Sequence, residues 1–153
     1  MRESASEYGE MALPNDANPL GNLLGGKVMH LVDMAGALAA IRHARCQVVT
    51  ASIDSMSFLH PVHIGQLVIL KSSVNRAFRT SMEVGVKVMA EDLTTGEITH
   101  TSSAYVTYVA IDKAGRPVEV PPVIPETSEE KRRYREACER RSMRLEICKR
   151  GKR

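Results

Sequence analysis

Tryptophan is absent from the 153 residues, and only two phenylalanines and four tyrosines stand against eight methionines. A surface that binds nucleic acid by stacking bases on aromatic rings is therefore disfavoured, and any pocket is expected to be aliphatic and adaptable. Cysteine is scarce as well. Cys46, Cys138 and Cys148 make an odd number without paired short spacings, which speaks against a disulfide framework or a zinc knuckle and for a reducing compartment. No stretch reaches the roughly 18 uncharged apolar residues of a membrane span. The first dozen residues carry Glu3, Glu7 and Glu10, unlike a signal peptide. A soluble, cytoplasmic protein without a membrane partner is expected. Nor is there a strong charge of one sign: the net +3 hides eleven basic and five acidic residues from Ser128 onward, leaving ten basic and thirteen acidic before it. The basic character belongs to a tail.

What is present reads as one domain between two polar ends. Residues 1–12 are polar and expected to be a flexible N-terminus, frayed or pairing late. Pro14 to Asn22 is a cluster of turn formers. Gly25-Gly26 then opens a segment of helical character running to about His43, with hardly any polar face, and such a helix is expected to be buried. Ala35-Gly36-Ala37 leaves its waist thin enough for another backbone to approach. From Cys46 the period changes to two, most clearly in Met82, Val84, Val86, Val88 and Ala90. Strands are expected at about 46–58, 66–77, 82–91 and 98–111, forming a domain over 13–125. Four prolines between 117 and 125 end the sheet. The last part, 126–153, reads as a basic surface helix and tail, with Ser128 as its N-cap and a thin stripe of Tyr134, Cys138, Leu145 and Cys148. One antiparallel sheet can cover the apolar helix on one side only. A symmetric partner would cover the other, so the chain is expected to be at least a dimer.

Asp33 sits among Leu31, Val32, Met34 and Ala35 on that helix. It is either a polar-edge residue paired with His30 or Lys27, or a functional carboxylate. Gly25 and Gly26 offer backbone N–H groups at a helix N-terminus, where a carbonyl oxygen that gains negative charge can be held. Asn18 and Asn22 add amides able to orient a water or a carbonyl. Taken singly, each piece is also an ordinary capping feature; together they suit acyl transfer. His60 and His63 have an H-x-x-H spacing but too few companions for a metal, and no metal site is expected. Cys46 is read as a small buried hydrophobe rather than a nucleophile.

The succession Asn18, Asn22, Gly25-Gly26, Asp33 and Met34-Ala35-Gly36 resembles the acyl-CoA thioester hydrolases of the hotdog fold, in particular the cytosolic, hexamer-forming branch. Phe58 with Pro61 and Gly65, Arg79 to Val84, and Tyr108 to Asp112 extend the resemblance over about residues 12–125. It implies an α+β hotdog fold, a long helix wrapped by an antiparallel sheet, assembled as a trimer of dimers. It also implies hydrolysis of acyl-CoA to fatty acid and coenzyme A. Asp33 would be general base or nucleophile, acting with Asn18 of the opposite protomer. The Gly26 N–H, with Gly25 and Asn22 in support, would polarise the carbonyl. Leu24 stands where several related families have His, which excludes a His-based mechanism and argues against a dehydratase. No cofactor is implied beyond the coenzyme A of substrate and product. Arg79, Thr80 and Ser81, with Arg76, are candidates for holding its phosphates, although each cation is also an ordinary strand-edge charge. The alternative from another class is a non-catalytic acyl-CoA-binding regulator with a basic interaction tail. Five glutamates among the tail's bases make it unlike a nucleic-acid arm.

Overall fold

The computed structural model describes residues 1–54 and 56–152. Six strands form one antiparallel sheet: β1 (Ser6–Met11), β2 (Gln47–Ile53), β3 (Ser57–Phe58), β4 (Leu67–Ala77), β5 (Ser81–Glu91) and β6 (Ile98–Ile111). Their order is β1-β4-β5-β6-β2, with β3 also paired to β6. Helix α1 (Gly25–Ala44) lies against one face of this sheet, and α2 (Ser128–Arg150) lies on the other side. This is the α+β hotdog arrangement that the resemblance implies. No helix among the described residues is long and apolar enough to cross a membrane.

The core forms where the period-two face meets the helix. Met82, Val84, Val86, Val88 and Ala90 of β5 and Ala104, Val106, Tyr108 and Ala110 of β6 pack with Leu31, Val32, Ala35 and Ala39 of α1. At about 25 cal/mol per Å² these aliphatic surfaces supply the main driving force, without aromatic bulk beyond Tyr108. The waist of α1 receives a side chain rather than another backbone. A Cβ on Gly36 would run into the Tyr108 hydroxyl and approach its ring carbons to 3.1 Å.

Two expectations change. Residues 6–11 are not a flexible end: they form edge strand β1, in register with β4 from Ser6 opposite Ser72 to Met11 opposite Leu67. Edge pairing is made by backbone groups and needs no apolar alternation, which is why polar side chains there are compatible with it. The N-cap of α2 is Thr127 rather than Ser128: its hydroxyl accepts from Glu130 N–H at 3.1 Å, and the Glu130 carboxylate accepts from Thr127 N–H at 3.1 Å and from Glu126 N–H at 2.8 Å. Of the thin apolar stripe, Tyr134 packs against the core, while Leu145 and Cys148 are exposed and hold nothing down. Arg140 instead donates to the fully buried Glu83 at 2.7 Å and stacks on Tyr105, Arg144 pairs with Asp54 at 3.1 Å, and Arg133 donates to Ser73 at 2.9 Å.

Helix α1 is buried on one side only. Met29, Met34, Leu38 and Ile41 are all more than a third exposed, and β2 beside them is an open sheet edge with Val49 46% exposed. An apolar helix face flanked by an unpaired edge strand is a surface that a second subunit can cover.

Candidate active site

The loop before α1 is tied by its own asparagines. Asn18 Oδ1 accepts from the backbone N–H groups of Leu20 (3.0 Å) and Asn22 (3.1 Å), and Asn18 N–H donates to the Asn22 carbonyl at 2.8 Å. Gly21, at φ 78°, supplies the left-handed step that this tight turn requires. With the side-chain oxygen occupied twice, what Asn18 offers outward is its Nδ2 amide, a donor. Asn22 Oδ1 is 2.8 Å from His63 Nδ1, so the network assigns that imidazole proton to Nδ1. His63 thus serves the loop.

The helix then begins without a side-chain cap. Leu24 holds the N-cap position and supplies no oxygen, while Lys27 and Val28 N–H already bond to its carbonyl. The exposed N–H groups of Gly25 and Gly26 are left as donors at the positive end of the helix dipole. Polar N-cap residues would fill this position from within the chain. A cavity of about 320 Å³ opens beside it, lined among others by Asn18, Asn22, Gly25, Val28, Phe58 and Ser102.

Asp33 lies two turns further on, half-buried, and pairs with neither His30 nor Lys27. Lys27 instead bonds Glu10 at 2.9 Å and Asp16 at 3.5 Å. One carboxylate oxygen of Asp33 accepts from Thr50 Oγ1 at 2.7 Å and from the Tyr108 hydroxyl at 3.2 Å. Tyr108 also donates to the Asp33 backbone carbonyl at 2.7 Å. Burial, and then the neighbouring Asp33 charge, push the Tyr108 phenol far above its ordinary range, so it stays a protonated donor. Thr50, Tyr108 and Met82 form one cross-strand row through β2, β6 and β5. Among the described residues nothing bonds the second carboxylate oxygen.

Gly26 and Asp33 of one chain cannot serve the same carbonyl. Seven residues of helix separate them by about 10 Å along the axis, too far for a shared reacting atom. Asp33 and Thr50 sit instead at the exposed α1 face and the open β2 edge.

The other expected residues divide. Ser81 lies one pair from the Met82–Tyr108–Thr50 row, and the turn Arg79-Thr80 before it is fixed by Val120 and Ala110 N–H groups bonding the carbonyls of Arg79 and Thr80. Arg79 is exposed, and among the described residues no carboxylate pairs with it. Arg76 is engaged elsewhere: its guanidinium lies 4.1 Å from the Tyr134 ring and 5.6 Å from that of Phe78, fastening α2. Thr50 and Tyr108 were given no role by the sequence reading, since both are ordinary strand residues until the fold brings them to Asp33.

The family model for the thioesterase superfamily matches residues 20–97, which contain Gly25, Gly26, Asp33 and Thr50. The chain belongs to the thioesterase superfamily. It is 43% identical to an uncharacterized acyl-CoA thioester hydrolase of Bacillus subtilis over 84% of this chain and 75% of that one. Mouse acyl-coenzyme A thioesterase 11 is 41% identical over 91% of this chain, which spans only 23% of the mouse protein's length. Among solved structures, an apo-hexameric acyl-CoA thioesterase superposes with a TM-score of 0.92 at 42% identity, covering 96% of this chain and 94% of that one. A Staphylococcus aureus acyl-CoA hydrolase solved with butyryl coenzyme A and coenzyme A gives 0.89 at 35% identity, covering 99% and 94%. That enzyme has also been solved with a single Asn, Asp or Thr replaced by Ala, the Asn 15 positions before the Asp and the Thr 17 after it. Asn18, Asp33 and Thr50 have the same separations in this superfamily member.

Proposed function

We propose that the protein hydrolyses acyl-CoA thioesters to a carboxylic acid and coenzyme A, in a site shared by two protomers of a hexamer built as a trimer of dimers. The observation that carries this reading is the Thr50–Asp33–Tyr108 cluster, set at an open subunit face about 10 Å along α1 from uncapped Gly25 and Gly26 N–H groups. The thioester carbonyl lies at that helix start, where the two N–H groups and Asn18 Nδ2 stabilise the charge its oxygen gains. Asp33 of the partner subunit acts either as general base, taking a proton from the water that adds to the carbonyl carbon, or as nucleophile, forming an anhydride that water then opens. On either route the C–S bond breaks and the coenzyme A thiolate leaves and is protonated. Thr50 and Tyr108 hold one oxygen of the carboxylate, leaving the other aimed by default at the reacting carbon.

Arg79, Thr80 and Ser81 lie at the sheet end nearest Asp33 and are assigned to the coenzyme A phosphates; Arg76 is assigned to α2 instead. No cofactor takes part, and a cytoplasmic setting fits the three free thiols. Thiol release from butyryl-CoA, followed for the wild type and Asp33→Asn, tests the reading. The variant is expected to lose about 10²- to 10⁴-fold in kcat, the range for a displaced acid–base group. Undiminished turnover by the variant would remove Asp33 from the reaction.

A further inference from the structure

The cavity beside Gly25 is apolar on most of its wall, yet one buried hydroxyl on that wall has no partner. Ser102 is 1% exposed, lines the cavity, and among the described residues its Oγ makes no hydrogen bond. Its neighbours on β6 are satisfied: Thr101 Oγ1 donates to the Val88 carbonyl at 3.2 Å, and His100 Nε2 lies 2.8 Å from Ser103 Oγ. Register decides which way Ser102 faces. It is opposite Val88 on one side and Phe58 on the other. Val88 belongs to the core face, so Ser102 shares the helix side of the sheet. Phe58 carries the wall from there to the helix start, its ring 3.5 Å from where a Gly25 Cβ would stand. Ser102 and Gly25 therefore line one cavity.

The Ser102 hydroxyl is already withdrawn from water without a partner among the described residues, the costly way to bury a polar group, and a saturated chain against it leaves that cost in place. A chain with an oxygen of its own gives the hydroxyl a partner. We propose that Ser102 is a specificity-determining residue, and that the acyl groups this cavity takes are aliphatic chains carrying a hydroxyl or keto oxygen. The inference rests on the acyl-CoA hydrolase reading above and narrows it to a substrate class. Sites built to pair a substrate hydroxyl reject the analogue that lacks it far more strongly than apolar slots reject a missing methylene.

The test compares butyryl-CoA with 3-hydroxybutyryl-CoA, and hexanoyl-CoA with 3-hydroxyhexanoyl-CoA, by thiol release from the wild type and Ser102→Ala. The wild type is expected to favour the hydroxylated member of at least one pair by about tenfold in kcat/KM. Ser102→Ala is expected to erase most of that preference, chiefly through KM, while leaving kcat/KM for the saturated substrates within a few-fold and melting no lower than the wild type. A wild type that prefers the saturated substrate in both pairs overturns the assignment without any variant. So does an unchanged ratio in Ser102→Ala, and in both cases continued thiol release leaves the hydrolase reading standing. No thiol release from any of the four substrates overturns the reading and the inference together.

Discussion

A methyl group at position 36 would collide with the Tyr108 hydroxyl, the same hydroxyl that holds the Asp33 carboxylate and backbone carbonyl. Glycine at this point of α1 therefore bears on the Asp33–Tyr108 contact as well as on packing. Gly36→Ala is expected to destabilise the fold by about 1–3 kcal/mol, the usual penalty of overpacking, and to lower kcat because Tyr108 must leave Asp33. Thermal denaturation and thiol release read the two effects; a variant with unchanged melting temperature and kcat contradicts the contact. At this scale part of the candidate site is legible in the sequence. Asp33 stood out as a carboxylate in an apolar run, and Gly25-Gly26 as an uncapped helix start. Thr50 and Tyr108 did not, because threonine and tyrosine are common in strands. Their role exists only after β2 and β6 carry them across 17 and 75 positions of chain to Asp33.

Among the elements, the strands from β4 to β6 follow from hydrophobic period and α1 from its long apolar run after Gly25-Gly26, whereas β1 and the seat of α2 do not. β1 is held by ladder bonds on the sheet edge, and its Ser-Glu-Tyr-Gly-Glu-Met sequence carries no alternation to announce it. α2 is anchored by arginines finding Glu83, Asp54 and the Tyr105 ring, pairings that no stripe on a helical wheel reveals. Its N-terminus also has a pH dependence of known sign. The backbone N–H groups of Glu126 and then Thr127 hold the Glu130 carboxyl below its ordinary range. A carboxyl whose pKa is depressed in the folded state stabilises above its unfolded value, and this contribution is lost as pH falls through the folded one. Thermal melts taken downward from neutral pH through the carboxylate range are therefore expected to fall more steeply for the wild type than for Glu130→Gln. Parallel curves would remove Glu130 from the acid response.

For the whole molecule, the exposed face of α1 and the open edge of β2 are the features that make a single chain incomplete. Met29, Met34, Leu38 and Ile41 are exposed on the same helix that carries Asp33. The all-round apolar pattern of α1 already asks for a second covering surface; which of its residues the sheet leaves uncovered is legible only in the fold. A twofold dimer would contain two sites, each with Asn18 and the helix start from one chain and Asp33 from the other. Mixed oligomers of Asn18→Ala and Asp33→Ala chains test this most directly. Each variant alone has every site damaged, but a mixed dimer has one site with both residues intact. Randomly reassembled equal mixtures are expected to recover about a quarter of wild-type thiol release, by the statistics of pairing in a symmetric dimer. Activity that stays at the average of the two inactive parents, in oligomers shown to contain both chains, would contradict the shared site.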